Sequence, residues 1–176
     1  DSVILDIEIA IEKWDLKYAD DVVKNADNPA VASNLRNVFP CPYTCEDAVG
    51  YIKFCSGNNE TKQCTRAIVI NGHAVGSIGF FIQHDVYEKN AEVGYWLGED
   101  YWKQGIMSEA LKRICAFGFD NYDIERIYAE PFADNKGSRG VLEKAGFILE
   151  GELRRNVLKN GVFHNSCIYG LLKNEK

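Results

Sequence analysis

No apolar run in this chain of 176 residues is long enough to cross a bilayer as a helix, so no helical membrane span is expected. Positive charge is also scarce. Lys and Arg number 20 against 26 Asp and Glu, giving a net charge of −6 and a pI near 5.1. Binding to phosphate backbones needs a basic footprint, so nucleic acid is not expected as a partner. A mildly acidic surface suits a cationic substrate such as an amine, and equally serves solubility. Histidine occurs only at positions 73, 84 and 164, without metal-ligand spacing. The six cysteines, at 41, 45, 55, 64, 115 and 167, contain no Cys-x-x-Cys pair. Free thiols packed as small apolar groups in a reducing cytosol are expected, and no metal site. The opening residues, Asp1-Ser-Val-Ile-Leu-Asp6, show neither the basic segment nor the apolar core of an export signal, so a cytoplasmic location is expected. Neither a P-loop nor a Gly-x-Gly-x-x-Gly fingerprint is present.

A 46% hydrophobic and 26% charged composition predicts an ordinary packed core, and the length predicts a single domain over residues 1–176. Ile7, Ile9 and Ile11 alternate with polar or small residues, the period of a half-buried strand. Asp15 is placed to cap a helix running to about Asn25, and Asn28-Pro29 restarts a short helical piece over Ala30–Leu35. The prolines at 40 and 42 make Phe39–Tyr43 an extended loop. Thr44 and Asp47 read as a capping box opening a helix to about Ser56. Asn71-Gly72 and Asn160-Gly161 each sit between apolar runs and predict two hairpins, Cys64–Ile70 with Ala74–Gln83, and Phe147–Leu158 with Val162–Leu172. Between them lie a strand over Ala91–Leu97, a helix to about Asp120 whose apolar spacing includes Met107, Ala110, Leu111, Ile114 and Phe117, a strand over Arg126–Glu130 and a helix over Asn135–Ala145. Pro131 cannot donate to a ladder, so the strand before it should be exposed or splayed from a neighbour near that point.

The β–α–β unit in the middle demands two parallel strands, while the hairpins add antiparallel ones. The expected fold class is therefore α/β (α+β), with a mixed, splayed central sheet and helices on both faces. Within that unit, Tyr101-Trp-Lys-Gln-Gly-Ile-Met-Ser108 leads from strand to helix. It reads either as a polar loop before a buried helix or as an anion site. The first turn of a helix has N–H groups without intrahelical partners, and its dipole favours negative charge. Gly105 permits close approach and Lys103 adds a cation, features of a pyrophosphate site.

Three segments in order carry a family likeness: Ala91-Glu-Val-Gly-Tyr-Trp-Leu97, Tyr101-Trp-Lys-Gln-Gly-Ile-Met-Ser-Glu-Ala-Leu111, and Asn135-Lys-Gly-Ser-Arg-Gly-Val-Leu-Glu-Lys-Ala-Gly-Phe147. Together they resemble a GNAT-superfamily N-acetyltransferase, nearest to the RimJ/RimL-type protein N-terminal acetyltransferases. The resemblance implies acetyl-CoA as cosubstrate and no metal. Backbone groups of Tyr95, Trp96 and Leu97 would pair with the pantetheine arm. N–H groups across Lys103, Gln104, Gly105, Ile106, Met107 and Ser108 would cradle the pyrophosphate, and Asn135 would contact the pantetheine region. Of the family's Gln/Arg-x-x-Gly-x-Gly/Ala pattern, Trp102 replaces the first residue and Met107 the last, while Lys103 stands where this branch usually has glycine. Many GNAT enzymes place a tyrosine acid where this chain has Leu142.

By the same resemblance, Ser138 is the proton donor to the departing thiolate and Glu92 the base that takes a proton from the amine. Each also has a plain structural reading, as a first-turn serine and a surface strand carboxylate. No nucleophile–base pair for an acyl-enzyme is evident, which implies direct attack in a ternary complex. The expected acceptor is a protein N-terminal amine, with a small amine such as a polyamine or aminoglycoside, or a non-catalytic CoA-binding module, as alternatives. A homodimer is compatible with this reading.

Overall fold

The computed structural model describes residues 7–175, so the opening segment read above for an export signal falls outside them. Seven strands form one sheet: β1 (Ala10–Lys13), β2 (Gln63–Ile70), β3 (His73–Ile82), β4 (Asn90–Leu97), β5 (Arg126–Ala129), β6 (Ile148–Lys159) and β7 (Val162–Leu172). Their order is β1-β2-β3-β4-β5-β7-β6, antiparallel throughout except where β4 and β5 run parallel. The helices are α1 (Ala19–Ala26), α2 (Pro29–Ala32), α3 (Cys45–Ser56), α4 (Ile106–Asn121) and α5 (Lys136–Lys144).

Local chemistry sets many of these boundaries. The Thr44 hydroxyl accepts from the Asp47 N–H at 3.1 Å, and the Asp47 carboxylate accepts from the Thr44 N–H at 2.9 Å. This reciprocal cap contributes about 1 kcal/mol. Asn71 and Gly72 have φ of +50° and +80°, and Asn160 and Gly161 +52° and +75°, the left-handed pair that a two-residue hairpin turn requires. Asn135 caps α5, and Gly146 at φ +96° releases the chain from its end.

Alternation along the strands divides the sheet into two faces. Cys64, Ile68, Ile78, Phe80, Ala91 and Val93 point to one face, where Leu111, Ile114 and Phe119 of α4 and Leu142 of α5 cover them. Ala67, Val69, Ala74 and Trp96 point to the other, under α1 to α3 through Val22, Ala48 and Ile52. Each fully buried Leu, Ile or Phe side chain contributes about 1.5–3 kcal/mol, so both layers bind firmly to the sheet.

Some sequence expectations shift. The first strand is Ala10–Lys13, paired Ala10 to Val69, so Ile7 and Ile9 precede it; Ile9 is nonetheless buried. The second short helix spans Pro29–Ala32 rather than reaching Leu35. His73 begins β3 and turns its ring to Asp21 at 3.0 Å. Phe117 is half-exposed, packing on Tyr122 and beneath the Arg66 guanidinium instead of in the buried core. All six cysteines are free, but Cys41 and Cys45 are exposed in and just after the loop before α3.

Candidate active site

The splay expected at Pro131 is present. β4 and β5 pair only from Asn90–Arg126 to Glu92–Tyr128. Beyond that point the chain follows β7 instead: the Cys167 N–H donates to the Pro131 carbonyl at 2.9 Å and the Ala133 N–H to the Asn165 carbonyl at 2.8 Å. The edge of β4 from Val93 to Leu97 is thereby left without a strand among the described residues. A cleft of about 1110 Å³ opens there, lined by Tyr95, Gly105 and Ser138 towards one end and by Glu92, Glu130 and Phe39 towards the other.

Successive β4 side chains face opposite sides, so the strand divides the cleft chemically. Tyr95 points towards α4 and α5, while Glu92, Gly94 and Trp96 point towards α1–α3.

On the first side stands the start of α4. Gly105 is its cap with φ +78° and ψ 4°, and Lys103 itself has φ +61°. The position that departs from the family's glycine therefore keeps a glycine-like conformation. Ile106 and Met107 bury their side chains, and the first helical bond runs from the Glu109 N–H to the Gly105 carbonyl. The N–H groups of 106–108 consequently have no partner within the helix. The Ser108 hydroxyl is turned back to the Gly105 carbonyl at 3.1 Å, leaving its backbone as the group free for an anion. Gln104 donates to the Asp100 carbonyl at 2.9 Å, and the Trp102 indole to the Leu97 carbonyl at 2.8 Å. Trp102, at the family's Gln/Arg position, thus ties the loop to the end of β4 and occupies one lone pair of an expected pantetheine contact. Asn135 spends its Oδ1 on the Ser138 N–H at 3.1 Å, which leaves its amide N–H groups for a ligand. Such donors suit a diphosphate and an amide-bearing arm; among the described residues there is no group of three or more His, Cys, Asp or Glu that could hold a metal ion.

Ser138 is not alone. Its hydroxyl lies 2.6 Å from the Tyr95 hydroxyl, and burial pushes the Tyr95 phenol up to about 12 against the opposing effect of that bond. From the sequence, only the backbone of Tyr95 is expected at the site.

On the second side, Glu92 is 26% exposed and accepts from Arg36 Nη2 at 3.1 Å. Its register partner Tyr128 is pushed up to about 12 by burial and then by the Glu92 charge. Glu130, two residues along β5's path, is raised above the usual carboxylate range by burial and by Glu92, with Arg36 opposing. Glu130 and Arg36 are site residues the sequence reading missed; the alternation Tyr128–Glu130 before Pro131 was the available signal for the first. Gly79 and Gly94 stand opposite each other in register, so the floor beside Glu92 is bare backbone. The Trp96 indole N–H is buried beside the Tyr51 hydroxyl, without a hydrogen bond of good geometry among the described residues, and Phe39 packs on that ring. The loop carrying Arg36 is held to the far hairpin by Lys159 Nζ, which donates to Asn37 Oδ1 at 3.0 Å.

The structure therefore brings Tyr95, Ser138, Gly105 and Glu92 to one cleft, with Glu92 and Ser138 approaching from opposite faces of β4. The site is thus a split β-edge next to a helix start that no side chain caps. The chain belongs to the GNAT acetyltransferase family: residues 8–148 match the model of the acetyltransferase (GNAT) domain. It is 35% identical over 101 residues to the uncharacterised N-acetyltransferase YoaA of Bacillus subtilis, covering 56% of this chain and 55% of that one. It is also 35% identical over 81 residues to the ribosomal-protein-serine acetyltransferase of Escherichia coli, covering 46% and 45%. The chain thus spans about half the length of the curated relatives it matches first. Among solved structures, the self-immunity acetyltransferase MccE in complex with acetyl-CoA and AMP superposes with a TM-score of 0.81 at 27% identity, over 94% of this chain and 92% of that one. Among the described residues no helix is long and apolar enough to cross a membrane.

Proposed function

We propose that the chain is a single-domain, cytoplasmic, acetyl-CoA-dependent N-acetyltransferase of the RimJ/RimL type, acting on a protein N-terminal amine. The observation that carries this reading is the unpaired edge of β4 leading to the bare N–H groups at the start of α4. The extended pantetheine arm has amides spaced to pair with such an edge, and the diphosphate matches the helix start. The bound acetyl-CoA in the MccE structure supports the same donor.

In the proposed reaction the acceptor approaches from the Glu92 side. Glu92, directly or through water, takes the ammonium proton, and Arg36 yields its place on that carboxylate. The neutral amine attacks the thioester carbonyl held at the β4 edge, in a direct ternary complex. Ser138, across the strand, protonates the departing sulfur.

A peptide acceptor is favoured by likeness to the ribosomal-protein-serine acetyltransferase, which matches over 81 residues of the chain. A second reading, a small cationic amine, is favoured by the two carboxylates, Glu92 and Glu130, on the acceptor side of the cleft.

The test is release of CoA thiol with two acceptor pools run in parallel. One holds short peptides with free Ala, Ser, Met or Thr N-termini; the other holds polyamines and aminoglycosides. Turnover with peptides alone is expected. Turnover with small amines alone would replace the acceptor and keep the donor site.

A further inference from the structure

We propose that Tyr95 acts through Ser138 as a positioning and proton-supplying residue, its phenol donating to the serine hydroxyl while that hydroxyl donates to the departing CoA sulfur. The inference rests on the acetyl-transfer reading above. The two hydroxyls are 2.6 Å apart although 43 residues separate them in the chain, and both side chains line the cleft. Tyr95 reaches the contact because alternation along β4 points it at α5, away from Glu92. Ser138 is held in the first turn of α5, its N–H capped by Asn135 at 3.1 Å, so the hydroxyl's origin is fixed.

The pair answers a gap in the chain. Position 142, where a tyrosine acid would stand on α5, is leucine, and that side chain is fully buried in the core. A phenol reaches Ser138 from β4 instead. Its chemistry matters because a serine that gives up its proton alone must end as an alkoxide, a far stronger base than a thiolate. With a phenol behind it, the serine is reprotonated as it donates, and the negative charge ends on a phenolate. A phenol pushed up to about 12 is fully protonated under ordinary assay conditions and so is always available to donate.

The amine nitrogen forms a bond to the acetyl carbonyl carbon. The C–S bond breaks with its electron pair on sulfur. The Ser138 proton moves to sulfur and the Tyr95 proton to the Ser138 oxygen, giving CoA thiol and the amide. The proton lost by the amine leaves through Glu92 or water, and the phenolate is reprotonated from solvent.

The test is a cycle of Tyr95→Phe, Ser138→Ala and the double variant, measuring kcat, KM for acetyl-CoA, thermal unfolding, and the rate in mixtures of H2O and D2O. Ser138→Ala is expected to lower kcat about 10²-fold, the low end for a positioned acid, and Tyr95→Phe, which acts only through the serine, by a smaller factor of about 10. The double variant should be no slower than Ser138→Ala, because the phenol acts only through the serine. KM for acetyl-CoA and the unfolding temperature should stay near wild type. The wild-type rate should curve with deuterium fraction, as when more than one proton moves, and become linear in Tyr95→Phe. A Tyr95→Phe enzyme with unchanged kcat and unchanged curvature overturns the relay while leaving acetyl transfer intact, as does a strictly multiplicative loss in the double variant. A wild-type protein that binds acetyl-CoA and releases no thiol to any amine overturns the transfer reading and the relay with it.

Discussion

Replacing Lys103 with glycine should separate a charge from a backbone strain. Lys103 is exposed and sits at φ +61°, two residues before the cap of α4. A side chain bearing Cβ in that region costs about 1 kcal/mol, which glycine avoids. Glycine also gains freedom in the unfolded chain, which offsets about 0.5–1 kcal/mol. Lys103→Gly should therefore unfold near the wild-type temperature, and no lower than Lys103→Ala, which keeps the strained backbone. Both variants lose the cation beside the proposed pyrophosphate site. For exposed charges about 4 Å apart the attraction is about 1 kcal/mol, so acetyl-CoA should bind about fivefold more weakly. Screening contracts to about 3 Å at 1 M salt, so the deficit should nearly vanish there. Calorimetric titration at low and high salt, with thermal unfolding of all three proteins, checks each part. Wild-type affinity in Lys103→Gly at low salt would refute the placement of the diphosphate, and a Lys103→Gly protein less stable than Lys103→Ala would refute the strain.

Glu92→Gln should lower kcat about 10²-fold, the scale of a lost general base, while acetyl-CoA affinity by titration stays the same. At Gly79 an added Cβ would lie 2.6 Å from the Cys64 carbonyl oxygen, whereas at Gly94 nothing lies within 4 Å. Gly79→Ala should therefore destabilise by about 1–3 kcal/mol in denaturant titrations. Gly94→Leu should leave stability alone and raise KM for the acceptor but not for acetyl-CoA. The Glu130 carboxyl is raised in the folded state, first by burial and then by Glu92. A raised acid favours folding below its unfolded value and loses that advantage as pH rises through its folded value. Glu130→Gln should accordingly be more stable than wild type at neutral pH, and the gain should fade as pH falls below the ordinary carboxylate range.

What could be read directly from the sequence was governed by short-range chemistry. Thr44 with Asp47, the two Asn-Gly turns, and Pro131 each act through neighbours a few residues away, and each marked its element correctly. The start of β1 was set instead by pairing of Ala10 with Val69, a partner far along the chain, so the isoleucine alternation gave the wrong start. Phe117 fits the apolar spacing of α4 but leaves the core, because Tyr122 and Arg66 offer it partners at the helix end. The residues of the proposed donor site follow one another along a strand and a helix start and so form a recognisable run. The acceptor side does not: Arg36, Glu92, Glu130 and Lys159 come from four separate segments, and only the folded sheet assembles them. The Tyr95–Ser138 contact was hidden for the same reason, although the alternation Glu92–Tyr95 already placed those two side chains on opposite faces.

The most direct test of the account is a single turnover with protein in excess over acetyl-CoA, following free thiol, acetylated amine and intact protein mass together. Thiol should appear only when a primary amine is added, in equal amount to the acetyl amide, and the protein's own mass should not change. Bound acetyl-CoA that yields no thiol with any amine, or an acetylated protein formed before the acceptor is added, would contradict it.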